Sequence, residues 1–194
     1  WLNGDTMDLA GYPKTGSEVP HDVFATCFFA NSTDIVANMA RAIGRDDEAA
    51  KYAKLAASIR KAFQRAYVEP DGKILGDTQA GYALALRFNM VDEPLRPALT
   101  RHLIEAIGRF NGHPSTGIQS TNRMILELTR NGRHDEAYRL VNLRTPPSWG
   151  HMIEMGATTI WERWDGYVKG RGLQESYMNS MNHWAFGSVG EWIW

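Results

Sequence analysis

Residues 46–67, "DDEAAKYAKLAASIRKAFQRAY", carry Tyr52, Leu55, Ile59, Phe63 and Ala66 at helical spacing, with lysines and arginines between them. That period puts one apolar stripe and one wet face on the same helix, so the segment predicts an amphipathic helix on the outside of a packed layer. The pattern returns over 93–110 with Leu95, Leu99, Leu103 and Ile107, and more briefly over 133–143 with Ala137, Leu140 and Val141. Residues 21–43 and 78–89 differ: they have few charges and small residues on every face, which predicts helices enclosed on most sides. Residues 119–131 and the C-terminal "NSMNHWAFGSVGEWIW" from 179 on are further enclosed candidates, interrupted by glycines and polar starts.

Turn residues fall between these segments, in "EPDGK" at 69–73, "NMVDEP" at 89–94, "NGHPSTG" at 111–117 and "RNGRH" at 130–134. Strand signals are scarce. The predicted fold class is therefore all-α, built of antiparallel helical hairpins with one sheltered and one exposed helix each. Such hairpins suit a closed toroid or an open solenoid. The absence of a repeat signature at a fixed period favours the toroid.

A chain of 194 residues can bury a sizeable core and sits near the upper end of the usual size for one domain. Its formal net charge of -1 provides no electrostatic draw toward nucleic acid or an anionic membrane, so neither is an expected partner. No apolar run approaches the about 20 residues a membrane helix needs. The single cysteine, Cys27, precedes Phe28 and Phe29 and reads as a buried thiol, which leaves the compartment undefined. The sequence starts on Trp1 and runs into the loop-like "LNGDTMDLAGYPKTGSEVP", and so reads as a piece of something longer.

Candidate chemistry concentrates late in the chain. Six of the seven tryptophans lie in its last third, and two of them, Trp161 and Trp164, flank Glu162 in "MGATTIWERWDGY". Desolvation by two indoles raises a carboxyl pKa and a neighbouring Arg163 lowers it, so their balance sets whether Glu162 can do acid or base work. Indole faces also suit the C–H faces of a sugar ring. The alternative is structural: Trp161 and Trp164 anchor a core, and Glu162 pairs with Arg163 or Lys169 on a solvated loop. His21, His102, His113, His134 and His151 show no paired metal-ligand spacing, so neither a metal nor a cofactor is expected. His113 and Ser115 read as members of a polar inter-helix loop.

The blocks "PSWGHMIEMGATTIWERWDG" and "SMNHWAFGSVGEWIW" closely resemble the C-terminal half of the catalytic barrel of bacterial alpha-L-rhamnosidases, glycoside hydrolases with an (α/α)6 toroid. The likeness extends over essentially the whole chain, through "HDVFATCFFANSTDIVANMARAIGRDDEAAKYAKLA", "TQAGYALAL" and "HPSTGIQSTN". It implies inverting hydrolysis of terminal alpha-L-rhamnosyl groups, with a rhamnose-containing glycoside or oligosaccharide as partner. It implies that Glu162 is the general base and that His183, in "MNHWAFG", binds rhamnose hydroxyls. Trp1 would line the sugar pocket, and Trp161 and Trp164 would shape its wall.

An inverting glycosidase also needs a second carboxyl about 6.5–9.5 Å from the base. In the family it belongs to an acidic motif N-terminal to everything present here, so residues 1–194 would form a partial barrel lacking its N-terminal part and would be inactive alone. Asp5, Asp8, Glu18 and Asp165 are the acids left to consider. A partial toroid would expose inner-helix faces such as that of Phe24, Phe28 and Ile35, and the chain would then form a homo-oligomer or bury that surface in another way. Two other functional readings stay open: an (α/α)6 glycosidase of different sugar specificity, and a non-catalytic helical module that binds carbohydrate or protein.

Overall fold

The computed structural model describes residues 18–174 and 178–194. Eight α-helices occur among them: α1 His21–Ala42, α2 Asp46–Tyr67, α3 Gln79–Arg87, α4 Arg96–Arg109, α5 Thr121–Arg130, α6 His134–Val141, α7 Trp149–Glu154 and α8 Gly190–Ile193. A two-stranded antiparallel ladder, β1 Tyr167–Val168 and β2 Gly172–Leu173, is the sole sheet among the described residues.

The helices form three consecutive hairpins, α1 with α2, α3 with α4 and α5 with α6. The first members also pack on one another in sequence order: α1 meets α3, α3 meets α5, and α5 meets the C-terminal turn and α8. This is an inner row backed by an outer row, the layered arrangement that the alternating patterns predict. The amphipathic stripe of α2 buries Ala49, Ala56, Ile59 and Phe63 while its charged positions face out. In α3 every residue from Gln79 to Leu86 is buried, and that stretch carries no charged residue.

The turn signals act through backbone conformations that most side chains avoid. Asn89 and Asn111 lie at φ 53°, and Gly112 and Gly132 at φ 75° and 74°, where glycine and asparagine cost least. Polar side chains then fix how the hairpins meet. Gln79, fully buried at the start of α3, donates to the His113 carbonyl at 3.0 Å and accepts from the Ser115 amide at 2.8 Å, tying the 111–120 loop to the inner row. Arg60 of α2 pairs with Asp34 of α1 and donates to the Phe88 carbonyl after α3, joining two hairpins. Glu127 of α5, 1% exposed, accepts from Arg130 at 2.7 Å and from Arg96 of α4 at 3.2 Å.

One reading of the inner row is corrected. Residues 21–43 were expected to be enclosed on most sides, but α1 buries a single stripe of Val23, Cys27, Ala30, Thr33, Ala37 and Ala40. Phe29, Ile35, Val36 and Met39 are exposed, whereas Phe24 and Phe28 are half-buried against each other and against Phe88. The physical reason is positional: among the described residues α1 has one inner neighbour, α3. Cys27 lies on the covered stripe, where burial pushes its thiol pKa up. No helix among the described residues is long and apolar enough to cross a membrane.

Ahead of α3, Asp77 sits at φ 47° and accepts from the Tyr82 hydroxyl at 2.7 Å. Burial would raise its carboxyl pKa, but the bonds from Tyr82 and Lys73 and the charge of Arg109 hold it below the usual value. A carboxylate lowered in the folded state stabilises the fold above its unfolded pKa of about 3.9, and this stability is lost as pH falls through the folded value. Asp77→Asn tolerates the same backbone but lacks the titration. Its stability deficit, read by urea denaturation, should shrink as the pH is taken from 5 toward 2.

Candidate active site

The segment after α7 forms the candidate site. α7 begins at Ser148, whose hydroxyl accepts the His151 amide at 3.0 Å. It ends at Gly156, whose φ of 84° turns the chain out of the helix. Residues 157–166 then run as loop into the β1–β2 hairpin. Gln174 donates its amide to the Gly166 carbonyl at 3.2 Å, closing the excursion on itself.

Residues 178–183 return antiparallel to this loop. The His183 amide donates to the Ile160 carbonyl at 2.7 Å, and the Glu162 amide donates to the Ser180 carbonyl at 2.8 Å. These backbone bonds bring together Glu162 and His183, which are distant in sequence. The Ser180 amide also donates to Glu162 Oε2 at 2.9 Å, so one carboxylate oxygen is oriented by the backbone across the pair. The imidazole of His183 accepts the Ala185 amide through Nδ1 at 3.2 Å, which directs Nε2 away from the chain's own turn.

Glu162 is 6% exposed, so it does not sit on a solvated loop. Arg163 clasps Asp165, with donors at 2.8 and 3.0 Å from the two carboxylate oxygens. Asp165 is 2% exposed and engaged at both oxygens in this pair, as a structural carboxylate would be. Glu18 is exposed and lies 3.8 Å from His21. Asp5, Asp8 and Trp1 fall outside the described residues.

Trp161 and Trp164 are buried at 3% and 1% exposure and belong to the main hydrophobic cluster. Trp164 stacks on Phe186 at 3.9 Å, meets Trp149 edge-on at 5.0 Å and donates its indole N–H to the Thr116 carbonyl at 2.9 Å. Trp149 in turn donates to the Phe186 carbonyl at 2.9 Å. The indoles thus form a rigid aromatic layer that joins α7, the Glu162 loop and the C-terminal turn. His113 bonds within its own surroundings, to the Asn111 carbonyl at 3.0 Å and to Thr145 at 2.8 Å, as a loop residue does.

Ser180 and Trp184 carry features that the spacing of residues did not reveal. Ser180 acts through its amide, which leaves no side-chain signature. Trp184, adjacent to His183, is 80% exposed in contrast to the buried Trp149, Trp161 and Trp164.

The family described as bacterial alpha-L-rhamnosidase 6 hairpin glycosidase domain matches residues 1–194. The chain belongs to that family. It is 50% identical over 181 residues to an alpha-L-rhamnosidase of Streptomyces avermitilis, a match covering 93% of this chain and 17% of that protein. An alpha-L-rhamnosidase of Formosa agariphila is 37% identical over 191 residues, covering 96% of this chain and 20% of that protein. The crystal structure of the Streptomyces avermitilis alpha-L-rhamnosidase complexed with L-rhamnose superposes with a TM-score of 0.86 over 91% of this chain and 17% of that one. Native alpha-L-rhamnosidase from Aspergillus terreus superposes with a TM-score of 0.85 at 29% identity, over 90% of this chain and 20% of that one. The hairpins described above are therefore those of a rhamnosidase six-hairpin glycosidase domain. The chain spans about a fifth of the length of the relatives it matches.

Proposed function

We propose that this chain is the part of an inverting alpha-L-rhamnosidase catalytic domain that supplies the general base, Glu162, and part of the sugar pocket. The observation that supports the reading is the antiparallel pairing of residues 160–162 with 180–183, which sets the Glu162 carboxylate beside the His183 segment and orients it through the Ser180 amide. A solved relative at 50% identity holds L-rhamnose, which makes a terminal rhamnosyl group the substrate to test.

In this mechanism Glu162 takes a proton from a water as the water oxygen attacks the anomeric carbon. The bond to the glycosidic oxygen breaks, and that oxygen receives a proton from a general acid on the other face of the sugar. His183 bonds rhamnose hydroxyls, while the aromatic layer of Trp161 and Trp164 backs the site and limits water. Trp1 lines the same pocket. The acid lies outside residues 1–194, in the N-terminal part of the barrel, and the exposed face of α1 receives that part or a second copy of this chain.

The test is hydrolysis of an aryl alpha-L-rhamnoside by the protein that carries this chain, followed by proton NMR before mutarotation. The first product should be the beta anomer, and residues 1–194 alone should hydrolyse at background. First appearance of the alpha anomer would overturn inversion, and no hydrolysis by the whole protein would overturn the activity. The burial of Glu162 favours a second reading, a non-catalytic module in which the carboxylate is structural. Full activity in a Glu162→Gln protein is the result that reading requires.

A further inference from the structure

The turn at residues 163–166 follows Glu162 directly and closes with the Gly166 amide on the Arg163 carbonyl at 3.3 Å. The Gly166 carbonyl at its end accepts two donors from the returning chain. One is the Gln174 amide at 3.2 Å, which by itself closes the β1–β2 excursion. The other is the side chain of Asn179, whose Nδ2 donates at 2.8 Å. This second bond is not needed to close the excursion. It reaches further along the chain, to the residue just before Ser180.

That position matters because the peptide between Asn179 and Ser180 carries the N–H that bonds Glu162 Oε2 at 2.9 Å. On its C-terminal side the peptide is held by Ser180, whose carbonyl accepts the Glu162 amide at 2.8 Å. The Ser180 hydroxyl also donates to the Asn182 carbonyl at 3.1 Å and accepts the Asn182 amide at 3.2 Å. On its N-terminal side the peptide is held by the Asn179 side chain. The contacts close a ring: the Glu162 carboxylate, the Ser180 amide, the Asn179 side chain, the Gly166 carbonyl, and the turn back to Glu162. Rotation of the 179–180 peptide would break a bond on either side of it.

Gly166 is fitted to the same contact. A Cβ on this buried residue would stand 2.8 Å from Asn179 Oδ1 and 3.3 Å from the Trp161 ring, closer than side chains ordinarily approach. Its φ lies outside the left-handed region, so the close approach is what requires glycine here.

We propose that Asn179 is a positioning residue for Glu162, fixing through the Gly166 carbonyl the peptide whose N–H orients the carboxylate. The role rests on the reading of Glu162 as the general base. Reacting groups keep their geometry only where supporting hydrogen bonds lock them, and Asn179 supplies such a lock without being the proton acceptor.

The test uses the protein that carries this chain and an aryl alpha-L-rhamnoside. Asn179→Ala, and Asn179→Asp, which removes the donor at unchanged size, should each lower kcat by about 10- to 100-fold, the scale of a small misplacement of a reacting group. Gly166→Ala, which displaces the Asn179 amide, should do the same, and affinity for L-rhamnose should change little in all three. In a Glu162→Gln background no base remains to be positioned, so Asn179→Ala should lower kcat little further, as for residues that act as a unit. A loss of equal size in both backgrounds would overturn the proposal. Amide exchange, read by mass spectrometry on a peptide spanning 178–183, should quicken roughly 10-fold in Asn179→Ala, the worth of one hydrogen bond, while α2 is unchanged. Exchange at the parent rate would also overturn it. Parent-rate hydrolysis by Glu162→Gln alone would instead sink the base reading, and this role with it. If the parent hydrolyses no rhamnoside, the rhamnosidase reading fails, and the exchange measurement decides the positioning of the carboxylate by itself. Should Asn179→Ala fail to fold, Asn179→Asp and Gly166→Ala carry the same comparisons.

Discussion

Replacing Glu162 by glutamine in the protein that carries this chain is expected to lower kcat on an aryl alpha-L-rhamnoside by about 10²- to 10⁴-fold, the usual contribution of a positioned acid–base group. The variant keeps the volume of the side chain and an oxygen to accept the Ser180 amide, which holds the native carboxylate at 2.9 Å. What it loses is the capacity to take a proton from water. Binding of L-rhamnose and the midpoint of urea denaturation should therefore change little, and kcat and kcat/KM should fall together, as when an interaction specific to the transition state is removed. His183→Ala should act on the other parameter, raising KM through a lost hydroxyl partner. A Glu162→Gln protein that cleaves the substrate at nearly the parent rate would show that Glu162 is not the base.

The second large effect is on folding. Trp164→Ala should destabilise the domain by about 3–5 kcal/mol, the usual cost of emptying a buried aromatic site. Trp164 is 1% exposed, stacked on Phe186 and edge-on to Trp149. Against a total of about 5–15 kcal/mol, that loss would leave much of the protein unfolded at modest urea concentrations. Trp164→Phe retains the stack but withdraws the N–H from the Thr116 carbonyl, 2.9 Å away in the parent, and should cost about 1–3 kcal/mol. A Trp164→Ala protein with the parent's denaturation midpoint and a raised KM would make the indole a pocket wall and no part of the core.

The helices were legible because each hairpin writes its own burial into the sequence. The predicted segment 46–67 coincides with α2, and 78–89 brackets α3, whose buried run from Gln79 to Leu86 holds no charged residue. α7 escaped because six residues are too few to show a period, although Ser148 three positions before His151 carries a capping signal. The partial exposure of α1 depends on which element stands beside it, and local pattern does not record that.

At the site, the types of residue were legible in "TTIWERW" and "MNHWAFG", but their meeting was not. It depends on backbone bonds between residues about twenty positions apart, made by amides that every residue except proline possesses. Nor does composition separate Trp164, a buried anchor, from Trp184, an open face: the same side chain serves either end according to what packs over it.

The sequential order of the inner row also bears on how the chain reaches its structure. Because α1 packs on α2, and α3, α5 and the C-terminal turn follow one another along the inner row in chain order, most pairings join elements close along the sequence. Contacts of that kind close small loops and form quickly. The Glu162–Ser180 pairing is of another kind. It adjoins the aromatic layer, where Trp164 bonds the 111–120 loop and Trp149 bonds the Phe186 carbonyl, so it draws on segments spread from residue 116 to residue 186. Growth from the N-terminal side would build these hairpins first, and the Glu162 carboxylate would stay unoriented until residues 178–186 had docked.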